Sequence, residues 1–253
     1  MLKAVLLDLD NTLILFDEPG FYQRFFDKMA TAFHDLMPAD QLARKTVAAT
    51  VALKENDGRM VNRDWFNQAF TADQDLPMHR FWDRWLSFYR DTYGPFGIPV
   101  TVPPGQADTI DRLAQSGLTL AIASNPIFPR IALERRMAWG GLDPAPFALL
   151  THMDNMSFVK PREGYYRSIS EMLDVAPETC LMVGNDPVND MAAAVAGMST
   201  YLTTDGRESD FTSLTAGAGA AAPYIPDFSG PLSGVLDVVA RLQNGHGPGA
   251  EGA

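Results

Sequence analysis

A single cysteine in 253 residues, Cys180, excludes an internal disulfide and fits a reducing compartment. It lies within Thr179-Cys180-Leu181-Met182-Val183, the setting of a buried strand rather than of a nucleophile. No run approaches the roughly 20 consecutive apolar residues that a bilayer span requires. The first apolar segment stops at Asp8 and carries no cleavage-site pattern, so it does not read as a signal peptide. Basic residues are scarce: 20 Lys and Arg stand against 31 Asp and Glu, a formal net charge of −11. With the cations scattered, a nucleic-acid backbone is not the expected partner, and the acidity reads as a solvated surface. Internal repeats are also missing. The length allows one large core, or a core with a smaller satellite domain, and these absences together lead to an expectation of a cytoplasmic chain.

What is present is concentrated near the start. Leu2 to Leu7, interrupted only by Lys3, has the character of a strand buried on both faces, and it delivers Asp8 at its carboxyl end. Open parallel sheets bind their ligands there. If the chain stays extended for two more residues, Asp8 and Asp10 project to the same side. Two anions so close call for a cation or a proton, and an oxygen-liganded ion such as Mg²⁺ suits them when the substrate carries phosphate.

From Pro104 onward strand-like and helix-like segments alternate, which predicts an α/β fold with a doubly wound parallel sheet. Strands are expected at Leu118–Ala123, Phe147–Leu150, Thr179–Val183 and Ser199–Leu202. Helices are expected from about Ala107 to a stop at Gly117, from Pro129 to Gly140-Gly141, from about Glu163 to Leu173 with Tyr166, Ile169, Met172 and Leu173 inward, and after Asp186 as far as Gly197. Three strands end in polar residues of one chemical kind: Asp8, Ser124-Asn125 and Gly184-Asn185-Asp186. Between Phe16 and about Pro99 the spacing turns helical, with Phe21, Phe25, Met29 and Phe33 and then Phe81, Trp82, Trp85, Phe88, Tyr89 and Tyr93. This predicts a helical insertion over 16–100 within a core formed by 1–15 and 101–243. Most of its aromatics are expected in a bundle core, and Phe16 to Tyr22 are candidates for a pocket. Thr215–Pro223 reads as a loop and 244–253 as a disordered tail.

Taken together, these residues resemble the haloacid dehalogenase superfamily. Its first motif matches Asp8-Leu9-Asp10-Asn11-Thr12, its second Ser124 followed by Asn125, its third Lys160-Pro161, and its fourth Gly184 to Asp190, in the family's order. The resemblance implies a Rossmann-like core with an all-helical cap inserted after the first motif. It also implies hydrolysis of a small-molecule phosphate monoester through an aspartyl-phosphate on Asp8, with Asp10 as general acid and base. Mg²⁺ would be held by Asp8, Asp10 through its carbonyl, and Asp186. Thr12, Ser124, Asn125 and Lys160 would bind phosphate, and Asp190 would orient Lys160 or a metal-bound water. One departure is that Asn185 intervenes between Gly184 and Asp186.

Within the family, Asp10 favours phosphoryl transfer over dehalogenation, and neither Lys28, Lys45 nor Lys54 stands in a context suited to Schiff-base phosphonate cleavage. A phosphomutase shares every motif with a hydrolase. A non-catalytic phosphate- or partner-binding module on the same fold is the reading from another class, as is a calcium-binding structural domain. A cap closing over the sheet edge would suit a small soluble ester rather than a phosphoprotein.

Overall fold

The computed structural model of the chain describes residues 1–94, 98–206 and 222–245. The segment 215–221 and the tail from 246 onward, expected as loop and disorder, lie outside these described residues.

Six strands form one sheet in the order β3-β2-β1-β4-β5-β6, and every neighbouring pair is parallel. They are β1 (Ala4–Leu7), β2 (Thr119–Ile122), β3 (Phe147–Leu150), β4 (Cys180–Gly184), β5 (Ser199–Thr203) and β6 (Phe228–Gly230). β1 is central: Ala4 to Leu7 pair with Thr119 to Ile122 on one side and with Cys180 to Val183 on the other. Alternation of side chains explains its unbroken apolar sequence. Val5 and Leu7 enter one core, with Leu120, Ile122, Leu181 and Val183, while Ala4 and Leu6 enter another, with Ala121, Tyr165, Tyr166 and Ile169. Helices α5 (Gln106–Gln115), α6 (Arg130–Trp139), α7 (Glu163–Met172) and α8 (Val235–Gln243) belong to this sheet-forming part.

Between β1 and α5 come four helices: α1 (Glu18–Ala32), α2 (Ala39–Ala52), α3 (Asn62–Thr71) and α4 (Met78–Asp91). α1 starts sharply because the Asp17 side chain accepts the Gly20 amide at 3.0 Å and Pro19 falls in the first turn. Phe21, Phe25 and Met29 of α1 and Phe33 just after it meet Phe81, Trp85 and Phe88 of α4 and Phe66 and Phe70 of α3 in one buried, mostly aromatic cluster. The helical segment is entered after Leu15 and left before Thr101, and these two residues exchange backbone hydrogen bonds of 2.8 and 3.0 Å. A second attachment joins α3 to the sheet side: the Asn62 and Arg63 amides donate to the Met156 and Met153 carbonyls, and Arg63 pairs with Asp154 at 2.6 Å.

One sequence expectation differs from the structure, the inward placing of Met172, and two features go beyond what was expected. The helix expected after β4 is present as a 3₁₀ helix, Met191–Ala196, capped by Gly197; Ala193 and Ala196, three apart, are eclipsed on its buried side. Met172 is 47% exposed because Tyr165, Tyr166, Ile169 and Ser170 form the buried face of α7 and Met172 lies at the helix end beyond it. The edge strand β6 was not expected, since three residues between Asp227 and Pro231 give no periodicity to read.

Candidate active site

The carboxyl ends of β1, β2 and β4 converge on a cleft of about 490 Å³, including its open mouth. Asp8, Asp10, Ser124, Asn125, Lys160, Asp186 and Asp190 all line it. Asp8 continues the β1 ladder by donating its amide to the Val183 carbonyl at 2.9 Å, which fixes its backbone at the centre of the sheet. Beyond Asp10 the chain turns back through Asn11, whose φ of +58° is a left-handed conformation that asparagine tolerates better than most residues. The Leu13 and Ile14 amides both donate to the Leu9 carbonyl and close that loop.

Lys160 is the electrostatic hub. Its Nζ donates to Asp8 Oδ1 at 2.8 Å and to Asp190 Oδ1 at 2.6 Å, and all three side chains are almost completely buried. Burial disfavours the ammonium, but Asp190 and Asp8 more than offset it and hold Lys160 protonated, well above the ordinary lysine range. Asp190 also accepts the Asp186 amide at 2.9 Å on Oδ2. Its approach requires Gly184, since a Cβ there would overlap the Asp190 carboxylate. Asn125 Oδ1 accepts the Lys160 amide at 3.3 Å and so helps to place the lysine. Ser124 is fixed through its carbonyl, which accepts from Thr151 Oγ1 at 2.6 Å and from the Tyr165 hydroxyl at 2.9 Å.

Thr12 stands apart from the cleft. It is fully buried, and its hydroxyl lies 3.1 Å from Asp8 Oδ2 and 2.9 Å from Asn185 Oδ1, turned to the nucleophile candidate rather than to the cleft wall. Asn185, the residue that interrupts the fourth motif, thus helps to hold the first. Asp186 organises its own turn: Oδ1 accepts the Val188 and Asn189 amides at 2.8 and 2.9 Å, and Oδ2 accepts Asn189 Nδ2 at 2.7 Å.

Arg136 was absent from the sequence reading. It projects from α6, is 2% exposed, pairs with Asp10 Oδ2 and lies over the Phe128 ring at 4.6 Å. A signal was present: Ala132, Leu133, Arg136 and Met137 share the buried face of α6, so an arginine occupies an apolar stripe. Burial raises the Asp10 carboxyl to about 6, against the opposing pull of Arg136 and with help from Asp8. The other oxygen, Oδ1, is buried without a hydrogen-bond partner. Lys28, Lys45 and Lys54 do not line the cleft; Lys45 pairs with Asp73.

Among the described residues, five carboxylates, of Asp8, Asp10, Glu18, Asp186 and Asp190, line the cleft against two cations, Arg136 and Lys160. Such a site repels a phosphate dianion unless further positive charge enters with it. Among the described residues no three His, Cys, Asp or Glu side chains are gathered closely enough to cage an ion unaided. That is compatible with Mg²⁺, which is commonly held by one or two carboxylates together with water and substrate phosphate. The all-oxygen donor set and the excess of anions therefore fit the ion that the sequence implies.

A model of the haloacid dehalogenase-like hydrolase family matches residues 2–197. The chain belongs to this family. A phosphoglycolate phosphatase of Rhodospirillum rubrum is 27% identical over 212 residues, 81% of each protein. Among solved structures, a predicted phosphoglycolate phosphatase from Haemophilus somnus 129pt has a TM-score of 0.55 at 18% identity, covering 94% of this chain and 98% of that one. The L-2-haloacid dehalogenase of Xanthobacter autotrophicus has a TM-score of 0.52 at 19% identity, with 95% and 99% covered. Phosphatase and dehalogenase therefore share this hydrolase's fold, and the choice between chemistries falls to the site. Cys180, as expected for a strand residue, is buried, and burial raises its thiol to about 11. Among the described residues no helix is long and apolar enough to cross a membrane.

Proposed function

We propose that this hydrolase cleaves small phosphate monoesters through a phosphoryl group carried transiently on Asp8. The observation that carries the proposal is the position of the Asp8 carboxylate, at the end of the central strand between Lys160 and Thr12, with Asp10 facing the same cleft. In the first step an Asp8 oxygen attacks phosphorus and the bond from phosphorus to the ester oxygen breaks. Asp10 gives its proton to the departing oxygen, so an alcohol leaves. In the second step Asp10 takes a proton from water, the water oxygen attacks phosphorus, and the bond to Asp8 breaks to give inorganic phosphate and restore the carboxylate.

The raised Asp10 carboxyl suits this double duty, and Arg136 orients it. Lys160 supplies a fixed positive charge beside the nucleophile and the transferring group, and Asp190 positions Lys160. Ser124 and Asn125 face the phosphate position from just beyond β2, while Thr12 holds Asp8. Mg²⁺, bound by the Asp8 and Asp186 carboxylates and the Asp10 carbonyl, would neutralise charge shared by nucleophile and phosphate. Residues 16–100 act as a cap: they leave and re-enter the core at the paired Leu15 and Thr101, and Glu18 and Tyr22 of α1 form one wall of the cleft. The phosphatase name of the R. rubrum relative points to the same chemistry.

The test is phosphate release from a panel of small esters with and without Mg²⁺, for the intact chain and Asp8→Asn. Metal-dependent release that the variant loses supports the proposal. Release that survives in Asp8→Asn refutes it, as does binding of phosphate esters with no turnover of any of them.

A further inference from the structure

A second cavity adjoins the cleft. It occupies about 780 Å³, including space open to solvent, between the helical segment and the sheet, and shares Tyr22, Ile127 and Phe128 with the catalytic cleft. The two cavities meet at these three side chains, with Asp8 lining only the first, so a leaving group larger than the cleft would extend toward the second. Its walls include Phe26, Trp85 and Tyr89, and among the described residues that line it there is no Lys, Arg, His, Asp or Glu. At α2 it reaches the surface beside Val47, a valine left 42% exposed. One polar group stands out. Thr46 Oγ1 is buried and has no hydrogen-bond partner, whereas the neighbouring Thr50 hydroxyl already donates to the Thr46 carbonyl at 2.8 Å.

We infer that the substrate is the phosphate ester of a bulky, uncharged, largely apolar alcohol, aromatic or branched. The inference rests on the phosphatase reading above and names the substrate class for that same site. A glycolate leaving group would carry its carboxylate into aromatic walls with no cation to pair it. The two cations of the cleft are already engaged, Lys160 with Asp8 and Asp190 and Arg136 with Asp10. A sugar would bury several hydroxyls against a lining in which, among the described residues, apolar and aromatic side chains predominate, and unpaired polar groups disfavour binding. An aryl or branched alkyl group brings no polar group of its own to be left unpaired and fills walls that are largely apolar.

The experiment compares 2-naphthyl phosphate with 2-phosphoglycolate and ribose 5-phosphate, by kcat/KM on the intact chain and by calorimetric binding to Asp8→Asn. The naphthyl ester is expected to lead by about 100-fold or more in both measurements, the scale set when a site leaves a polar group unpaired. Thr46→Lys, a change on a partly exposed helix position, should narrow that lead at least tenfold by giving phosphoglycolate a cation. Phosphoglycolate or ribose 5-phosphate turned over within tenfold of the naphthyl ester overturns the inference and leaves the phosphatase reading intact. If no ester is turned over while Asp8→Asn still prefers naphthyl phosphate, the phosphatase reading fails and the apolar cavity stands. Equal or absent binding of all three esters removes the inference.

Discussion

Replacing Lys160 with methionine removes the single cation between two buried carboxylates and keeps the side-chain length. The Lys160 side chain is 2% exposed, Asp190 2% and Asp8 10%, so solvent screens the trio little. Breaking a buried pair from one side costs roughly 3 to 5 kcal/mol, because the orphaned charge remains in place. At roughly 2 to 4 °C per kcal/mol for a chain of this size, Lys160→Met should lower Tm by about 10 °C. Adding Asp190→Asn removes one orphaned charge, so the double variant should recover a substantial part of that loss even though it carries one more substitution. Urea unfolding of the wild type, both single variants and the double variant, in chelator, measures the coupling directly. A Lys160→Met variant within about 1 kcal/mol of wild type, or a double variant whose loss is the plain addition of the two single losses, would refute the reasoning.

Gly184→Ala should displace Asp190, loosen Lys160 and lower kcat/KM by about tenfold or more while the circular dichroism spectrum stays native; undiminished activity would show that the close contact is dispensable. Arg136→Met should reduce kcat by about 100-fold with KM little changed, since it disturbs the group that handles the leaving-group proton, and Arg136→Lys should restore part of the loss. Equal effects of the two variants would reduce Arg136 to packing. Cys180 should resist alkylation in the native chain at pH 8, where a thiol raised to about 11 is overwhelmingly protonated and also buried, and should react once urea unfolds the protein. Prompt native labelling would contradict its burial in β4.

How much could be read in advance depended on where each element finds its partners. β1 was visible because its burial is recorded in its own residues, Ala4 to Leu7 all being fully buried, and β3 because the apolar run Phe147–Leu150 falls between turn signals. The aromatic repeats in and beside α1 and α4 were visible for the same reason: a bundle core was expected to take most of their aromatics, and all ten residues of the two repeats are buried. β6 was invisible because three residues at an edge become a strand only by lying beside Tyr201 to Thr203. The 3₁₀ course of Met191–Ala196 was hidden because alanine carries high helical propensity, which contact with the sheet overrode. In the site, Asp8, Asp10, Ser124, Lys160, Asp186 and Asp190 announced themselves by standing at strand ends or within motifs, and the structure gathers them in one cleft. Arg136 lies 126 positions from Asp10, and only the packing of α6 against the β1 loop brings the two together. Thr12 could be placed near phosphate by motif, but the sequence did not show that Asn185 would stand on its far side and turn it to Asp8.

The claim that Asp8 carries the phosphoryl group is tested most directly by acid-quenching the enzyme during turnover of an aryl phosphate with Mg²⁺ and mapping its peptides by mass. The account predicts a peptide spanning Asp8 that gains the mass of one phosphoryl group, localised to Asp8, and more of it in Asp10→Asn, where an aryl leaving group departs unaided but water is no longer activated. An enzyme that turns over the ester while no phosphoryl group is found on Asp8, in wild type or in Asp10→Asn, would contradict it.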